Sequence, residues 1–205
     1  ATLTSANFLF DGVVPNELVG TQPPVVTPPV VTPPSVPTPT PGVINGNEIR
    51  GSNADDTMRG TTQSDVVWGL EGLDTFYWQA GMSNDSYHGG AGAERYDANP
   101  YTPGNPGGDR LILEGSIGAR IDMRSTEDGS VQIGNERLEF TGMERVFGTA
   151  GDDIVSATNA TMNIAGGGKP GHGLSIFTGA GNDSVAGSRY DDVIDGGSVN
   201  DTISG

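Results

Sequence analysis

A nine-residue repeat is the feature that most constrains the fold of this chain. Segments beginning at residues 51, 60, 69, 80, 89, 148, 178, 187 and 196 each carry an acidic residue at position six and an apolar residue at position eight. The position-six acids are Asp56, Asp65, Asp74, Asp85, Glu94, Asp153, Asp183, Asp192 and Asp201. The position-eight residues are Met58, Val67, Phe76, Tyr87, Tyr96, Val155, Val185, Ile194 and Ile203. A period of nine, rather than 3.6, predicts stacked turn-and-strand units without helix.

The repeat resembles the nonapeptide G-G-x-G-x-D-x-U-x of the RTX (hemolysin-type) calcium-binding proteins. Segments 89–97 and 196–204 keep the double glycine of that pattern, whereas Gln63 and Tyr190 replace the glycine at position four and Glu94 replaces Asp. The resemblance implies a parallel β-roll, bound Ca²⁺, and ligation by the nine position-six acids. It also implies a bacterial protein that leaves the cell by type I secretion and folds outside, where calcium is abundant.

Elementary geometry accounts for the acid at position six and the apolar residue at position eight of the repeat. The first six residues of a unit form a turn, in which glycine lets the backbone pass close to an ion. The last three form a short strand with alternating side chains, so position eight points into a thin core. Two units complete one coil, which places Asp56 and Asp74, 18 residues apart, on the same side. Their carboxylates and nearby turn carbonyls can share Ca²⁺, which accepts about six to eight oxygen ligands.

The same reasoning predicts which other acids are neighbours. Asp183 and Asp201 repeat the relation of Asp56 to Asp74, and Asp192 should lie on the opposite side. Asp65 and Asp85 are expected to be neighbours 20 residues apart, with Trp78-Gln79 bulging between their turns. The register blurs between 157 and 177, where Gly173-Leu174 brings no acid, so a calcium site is not expected in that coil. The roll as a whole is expected to have weak or partly filled sites rather than a uniform ladder.

The chain divides into five segments by composition. Residues 1–20 are expected to hold the terminal strand of a preceding domain, and residues 21–41 a proline-rich extended linker. The first repeat block is 42–97, the intervening segment is 98–147, and the second repeat block is 148–205. Alternating apolar residues predict strands at 109–113, 119–123, 130–133 and 137–140, whereas 98–108 is predicted to be a loop. The predicted fold class is all-β: a parallel β-roll or β-helix solenoid in two blocks joined by short β-strands.

Composition excludes several classes of partner. The formal net charge of −16 disfavours nucleic acid and anionic membranes, which require cationic surfaces, and favours cations. No run of 18 apolar residues occurs, so no membrane span is predicted. The chain has no cysteine, so neither a disulfide nor a thiolate can stabilise it.

Two further groups of residues bear on function. The only histidines, His88 and His172, cannot form an HExxH motif and are expected to be exposed and non-catalytic. Trp68, Tyr77 and Trp78 cluster in the sequence, which is compatible with a sugar-stacking platform or with ordinary strand surface.

These observations predict an extracellular calcium-binding module, the structural part of a larger secreted or surface protein of adhesin type. The alternative is the non-catalytic C-terminal region of a secreted hydrolase or polysaccharide-modifying enzyme. In both cases the chain itself is expected not to be an enzyme. The expected partners are calcium ions, with surface glycans or neighbouring domains of the same polypeptide as further candidates. The first and last residues, Ala1 and Gly205, suggest an excerpt of a longer polypeptide.

Overall fold

Short strands and tight turns alternate along the chain. The structure is a computed structural model that describes residues 42–44, 47–90, 108–162 and 172–205. Its strands are β1 Gly42–Ile44, β2 Glu48–Arg50, β3 Thr57–Arg59, β4 Val66–Leu70, β5 Thr75–Gln79, β6 Asp85–Gly90, β7 Arg110–Glu114, β8 Arg120–Met123, β9 Gly129–Ile133, β10 Glu136–Thr141, β11 Arg145–Phe147, β12 Ile154–Ser156, β13 His172–Phe177, β14 Ser184–Ala186, β15 Asp191–Asp195 and β16 Thr202–Ser204. These described residues contain no helix, in agreement with the period of nine.

Apart from β1–β2 and the run β8-β9-β10, successive strands alternate between two sheets. A ten-stranded sheet has the order β1-β2-β4-β6-β10-β9-β8-β12-β14-β16, and a six-stranded sheet has the order β15-β13-β11-β7-β5-β3. Neighbouring strands are parallel except at β1–β2 and within β8-β9-β10. Each coil therefore contributes strands to both sheets, and the predicted all-β parallel roll is confirmed.

The intervening segment is built into the same roll. All four strands predicted there are confirmed as β7 to β10, with bounds shifted by at most one residue. Strand β7 lies between β5 and β11 in the six-stranded sheet, whereas β8, β9 and β10 form an antiparallel meander between β6 and β12. The described strands of the two repeat blocks and of the segment between them thus share two sheets within one compact unit, Pro37–Gly205.

Position eight of the repeat supplies the core. Met58, Phe76, Val67, Tyr87 and Val155 are 0–2% exposed, and each points between the two sheets. The intervening strands add their own inward residues to the same cluster, including Leu111, Ile121, Val131 and Phe140. The two exceptions among the described position-eight residues lie on edge strands: Ile194 on β15 is partly buried, and Ile203 on β16 is 47% exposed.

Several predictions fall on other parts of the chain. The expected terminal strand at 1–20, the linker at 21–41, the loop at 98–108 except its last residue, Glu94 and Tyr96 lie outside the described residues. Those assignments remain predictions from the sequence.

Candidate metal-binding turns

The acidic turns form two columns, one along each sheet. Asp56, Asp74, Asp109 and Glu144 end turns that precede strands of the six-stranded sheet, and Asp192 is the second residue of β15 in that sheet; these five acids are here called the six-strand column. Asp65, Asp153, Asp183 and Asp201 end turns that precede strands of the ten-stranded sheet, and Asp85 is the first residue of β6 in that sheet; these five acids are here called the ten-strand column. Eight of the nine predicted site residues therefore lie in these two columns, and the ninth, Glu94, lies outside the described residues.

Backbone hydrogen bonds connect successive acids of the six-strand column. Asp56 N donates to Asp74 Oδ1 at 2.8 Å, and Asp74 N donates to Asp109 Oδ1 at 2.7 Å. Asp109 N in turn donates to Glu144 Oε2 at 2.5 Å. Asp56 and Asp74, paired in the sequence analysis, are thus direct neighbours in a longer ladder of acids.

The ten-strand column repeats this ladder in two pieces. Asp65 N donates to Asp85 Oδ1 at 2.8 Å in the first piece. Asp153 N donates to Asp183 Oδ1 at 2.8 Å, and Asp183 N donates to Asp201 Oδ1 at 3.0 Å in the second. The β8-β9-β10 meander separates the two pieces. Asp192 belongs to the six-strand column, so it lies on the opposite side from Asp183, as the spacing predicted.

Carboxylates of both columns also fold back over their own turns. Ser52 N donates to Asp56 Oδ2 at 2.5 Å, and Thr149 N donates to Asp153 Oδ2 at 2.8 Å, four residues away in both cases. This contact places the carboxylate directly above the glycine at position one. A Cβ atom at Gly51 would lie 2.6 Å from both Asp56 Oδ2 and the Gly69 carbonyl oxygen of the next coil. Glycine is therefore required at this position to leave room for two converging oxygens.

The same pairing of oxygens recurs along the roll. A Cβ at Gly69 would collide with Asp74 Oδ2 and with the Gly89 carbonyl oxygen. A Cβ at Gly148 would collide with Asp153 Oδ2 and approach the Thr178 carbonyl oxygen. A carboxylate oxygen and a backbone carbonyl of the next coil thus face each other over the glycine at position one in both columns.

Several of these carboxylates are buried, and one oxygen of each accepts no hydrogen bond. Asp56, Asp74 and Asp183 are 2% exposed or less. Asp56 Oδ1, Asp74 Oδ2 and Asp183 Oδ2 are buried and accept no hydrogen bond. An ionised carboxylate loses its hydration on burial, so each of these oxygens needs a proton or a cation.

Burial raises the pKa of acids in both columns. It raises the pKa of Asp74 to about 7, and the negative charges of Asp109 and Asp56 contribute in the same direction. It raises the pKa of Asp85 to about 6 and also raises the pKa of Asp153. Without a cation, Asp74 in the folded state therefore keeps its proton up to about pH 7 and Asp85 up to about pH 6.

This coupling predicts a pH dependence for the calcium-free protein. An unfolded Asp has a pKa of about 3.9, so between about pH 4 and pH 7 the folded chain holds a proton on Asp74 that the unfolded chain has lost. Folding is thereby favoured by acid, and the stabilisation disappears as the pH rises through about 7. We expect a larger β-sheet circular dichroism signal in EDTA at pH 5 than at pH 8. A larger signal at pH 8 would contradict this.

The donor set suits a hard cation. The turns offer carboxylate and carbonyl oxygens with neither thiolate nor imidazole, which matches Ca²⁺ rather than a transition metal. Across the described residues, no three acidic or histidine side chains converge closely enough to bind a metal by themselves. Backbone carbonyls such as those of Gly69 and Gly89 would therefore complete the coordination shell.

Two members of the six-strand column, Asp109 and Glu144, were missed by the sequence analysis. Both stand two residues before a buried apolar residue, Leu111 and Val146 respectively, as position six precedes position eight. The segments around them, 104–112 and 139–147, also have glycine at position four. Insertions separate these two units from the others, so they do not fall in the nine-residue register. The alternating apolar residues of this region indicate strands but do not reveal the repeat.

The aromatic cluster of the sequence is not one platform. Trp78 is fully buried in the core. Trp68 and Tyr77 are half-buried on strands of different sheets, so they face opposite sides of the roll. His88 is half-buried rather than exposed, because its ring stacks on Trp68 at 4.0 Å between ring centroids. Burial lowers the pKa of His88. The side chain of His172 lies outside the described residues.

The two-sheet roll with oxygen-lined turns defines a calcium-binding repeat protein. A family model described as the RTX calcium-binding nonapeptide repeat, in 4 copies, matches residues 50–77, 140–159 and 177–205. The repeats in these three ranges belong to that family, and nonapeptides of this family bind Ca²⁺. The second matched range includes Glu144. Searches of curated proteins and of solved structures found no significant match to the chain.

A helix that crosses a membrane needs about 20 mostly apolar residues. Within the described ranges, no helix is long and apolar enough to cross a bilayer.

Proposed function

We propose that this roll is an extracellular folding module, which remains unfolded at cytosolic calcium levels and folds around Ca²⁺ after secretion. The observation that carries the proposal is the set of buried, unpartnered oxygens Asp56 Oδ1, Asp74 Oδ2 and Asp183 Oδ2. Without an ion these groups make the folded state unfavourable, and with Ca²⁺ they become ligands. The same turns can therefore oppose folding inside the cell and drive it outside.

The proposed ligands follow the two ladders. In the six-strand column they are Asp56, Asp74 and Asp109, with carbonyl oxygens from the glycines at position one. In the ten-strand column they are Asp153, Asp183 and Asp201. Calcium bound between successive turns would neutralise like charges that lie on adjacent coils, and so link each coil to the next.

The module's role is proposed to be structural, as a rigid part of a larger secreted or surface protein of adhesin type. The acids recur with the structural period, and their oxygens are engaged by turn backbone, as Asp153 is by Thr149 and Ala119. Groups held in this way support a scaffold rather than a catalytic pair, so we propose that the roll itself is not catalytic.

Isothermal titration calorimetry with Ca²⁺ and with Mg²⁺ tests the proposal. We expect calcium dissociation constants of about 10⁻⁴–10⁻³ M, the range of extracellular calcium modules. Mg²⁺ should not substitute, because it requires a compact octahedral shell and gives up its water reluctantly. Calcium binding at submicromolar concentrations would contradict folding after secretion, because the turns would then be occupied inside the cell. Absence of calcium binding would contradict the proposal altogether.

A further inference from the structure

The first coil of the ten-strand column has an insertion that the neighbouring coil of the six-strand column lacks. Asp65 and Asp85 lie 20 residues apart, whereas Asp56 and Asp74 lie 18 apart. The two extra residues are Trp78-Gln79 at the end of β5. An insertion of two preserves the alternation of a strand, so Trp78 points inward behind Phe76 and is fully buried.

The buried indole reaches the carboxylate of the next turn. Trp78 Nε1 donates to Asp85 Oδ2 at 2.8 Å, and Asp65 N donates to Asp85 Oδ1 at 2.8 Å. Both oxygens of Asp85 are therefore satisfied by protein donors, and one donor is an indole from the core, whereas the donors to Asp153 are all groups of the turns, Thr149 and Ala119. In contrast, Asp74 at the corresponding place in the six-strand column keeps Oδ2 buried and unpartnered.

A second aromatic side chain closes the glycine position of the same coil. Gly60 N donates to the Tyr87 hydroxyl at 2.9 Å, and that hydroxyl donates to the Tyr77 carbonyl at 3.3 Å. A Cβ at Gly60 would lie 2.7 Å from the Tyr87 hydroxyl and 3.4 Å from the Met82 methyl group. At Gly51 and Gly69 the corresponding neighbour is a carbonyl oxygen of the next coil.

The next coil offers no acid in register with Asp85, because Leu138 stands opposite it and Glu136 of that coil accepts from Gly81 N instead. Asp85 pairs in register with Leu138 of β10, and Arg137 lies beside it. Arg137 N donates to Asn84 Oδ1 at 2.8 Å, so a cationic residue borders the turn where a further carboxylate would be needed. A cation bound above Gly60 would meet Asp65 Oδ2, the Tyr87 hydroxyl and the Met82 methyl group, without the carbonyl oxygen of the next coil that is present at Gly51 and Gly69.

We propose that the Asp65–Asp85 turn pair is closed by the Trp78 indole and the Tyr87 hydroxyl in place of a calcium ion. This inference rests on the proposed function and refines it: in the first repeat block calcium binds along the six-strand column alone. The aromatic coil then forms a metal-independent segment on which the calcium-dependent coils stack. Within this segment the ring centroids of Phe76 and Tyr87 lie 5.8 Å apart.

Calcium counting in matched variants tests the proposal. Bound Ca²⁺ per folded chain would be measured by equilibrium dialysis and metal analysis for the parent chain, Asp74→Asn and Asp85→Asn. We expect Asp85→Asn to bind as many ions as the parent and Asp74→Asn to bind at least one fewer. One fewer ion in Asp85→Asn overturns the inference. If Asp85→Asn does not fold, Asp65→Asn provides the same comparison, and one fewer ion in that variant overturns the inference equally.

The outcome separates this inference from the proposed function. A parent chain that binds no calcium, or an Asp74→Asn variant with an unchanged count, contradicts the calcium role of the turns. Loss of an ion from both Asp74→Asn and Asp85→Asn leaves that role intact and overturns only the aromatic closure.

Tyr87→Phe tests the closure itself, because it removes one oxygen and keeps the ring. Without the hydroxyl, Gly60 N loses its acceptor, so the thermal midpoint in saturating calcium should fall by about 4 °C with the ion count and calcium affinity unchanged. An unchanged midpoint, or a lower calcium affinity at the same midpoint, would overturn the assignment of this hydroxyl.

Discussion

Chelation of calcium is expected to unfold the roll. A site that binds the folded chain alone stabilises it by about 2.7 kcal/mol when free calcium is 100-fold above the dissociation constant. A few such sites together match the roughly 5–15 kcal/mol by which a typical domain is stable. Without calcium, buried carboxylates on adjacent coils, Asp56 and Asp74 among them, repel one another, and no disulfide compensates because the chain has no cysteine.

Circular dichroism through a calcium titration that starts from EDTA measures this effect. We expect little β-sheet signal in EDTA and a cooperative gain as calcium is added. The matched control is NaCl at the same ionic strength, which screens exposed charges but supplies no divalent cation. Full β-sheet signal in EDTA at low salt and pH 8 would contradict a calcium-dependent fold.

The effect of Asp74→Asn on the stability of the fold is expected to have opposite signs without and with calcium. Asn keeps an oxygen that can accept from Asp56 N, and it places an amide group where the unpartnered Asp74 Oδ2 lies, on the side of the Gly89 carbonyl. The substitution also removes a buried charge whose burial is unfavourable without a metal. In EDTA the variant should therefore be at least as folded as the parent.

In saturating calcium the same variant should be markedly less stable. Loss of one shared site removes about 2.7 kcal/mol at 100-fold excess over the dissociation constant, which corresponds to a fall in the thermal midpoint of about 5–10 °C. Thermal unfolding in calcium and residual β-sheet signal in EDTA measure the two halves of this prediction. A loss of stability that is equal with and without calcium would mean that Asp74 acts only as a turn cap.

Asp122→Asn is the matched control. Asp122 is an acid on the outer face of β8, away from both columns, and it forms an exposed ion pair with Arg120 at 3.5 Å. Exposed pairs contribute about 0–1 kcal/mol, so this variant should resemble the parent with and without calcium. An effect of Asp122→Asn as large as that of Asp74→Asn would point to general charge reduction rather than to a specific site.

The period of nine residues determined the architecture from the sequence alone. An acid and an apolar residue two positions apart, repeated along the chain, predict turn, strand and inward side chain, because strand alternation is a local property. The same arithmetic paired Asp56 with Asp74 and Asp183 with Asp201, since two units complete one coil. The strands of the intervening segment were equally local and were predicted within one residue of their bounds.

The tertiary structure decided what insertions do to the repeat. Asp109 and Glu144 join the six-strand column, although neither falls in the register of the other units, because coils of unequal length can still stack their turns. The β8-β9-β10 meander enters the ten-stranded sheet and divides the ten-strand column, which no periodic pattern could indicate.

Tertiary packing also separated acids that look equivalent in the sequence. Asp74 and Asp85 occupy the same position of the same repeat, yet Asp74 keeps a buried oxygen without a partner, whereas Asp85 receives the indole of Trp78. That contact joins residues seven apart in the chain by way of the core. The repeat therefore determines where a carboxylate stands, and only the surrounding coils determine whether a proton, a protein donor or a cation satisfies it, because burial and partners set its energy.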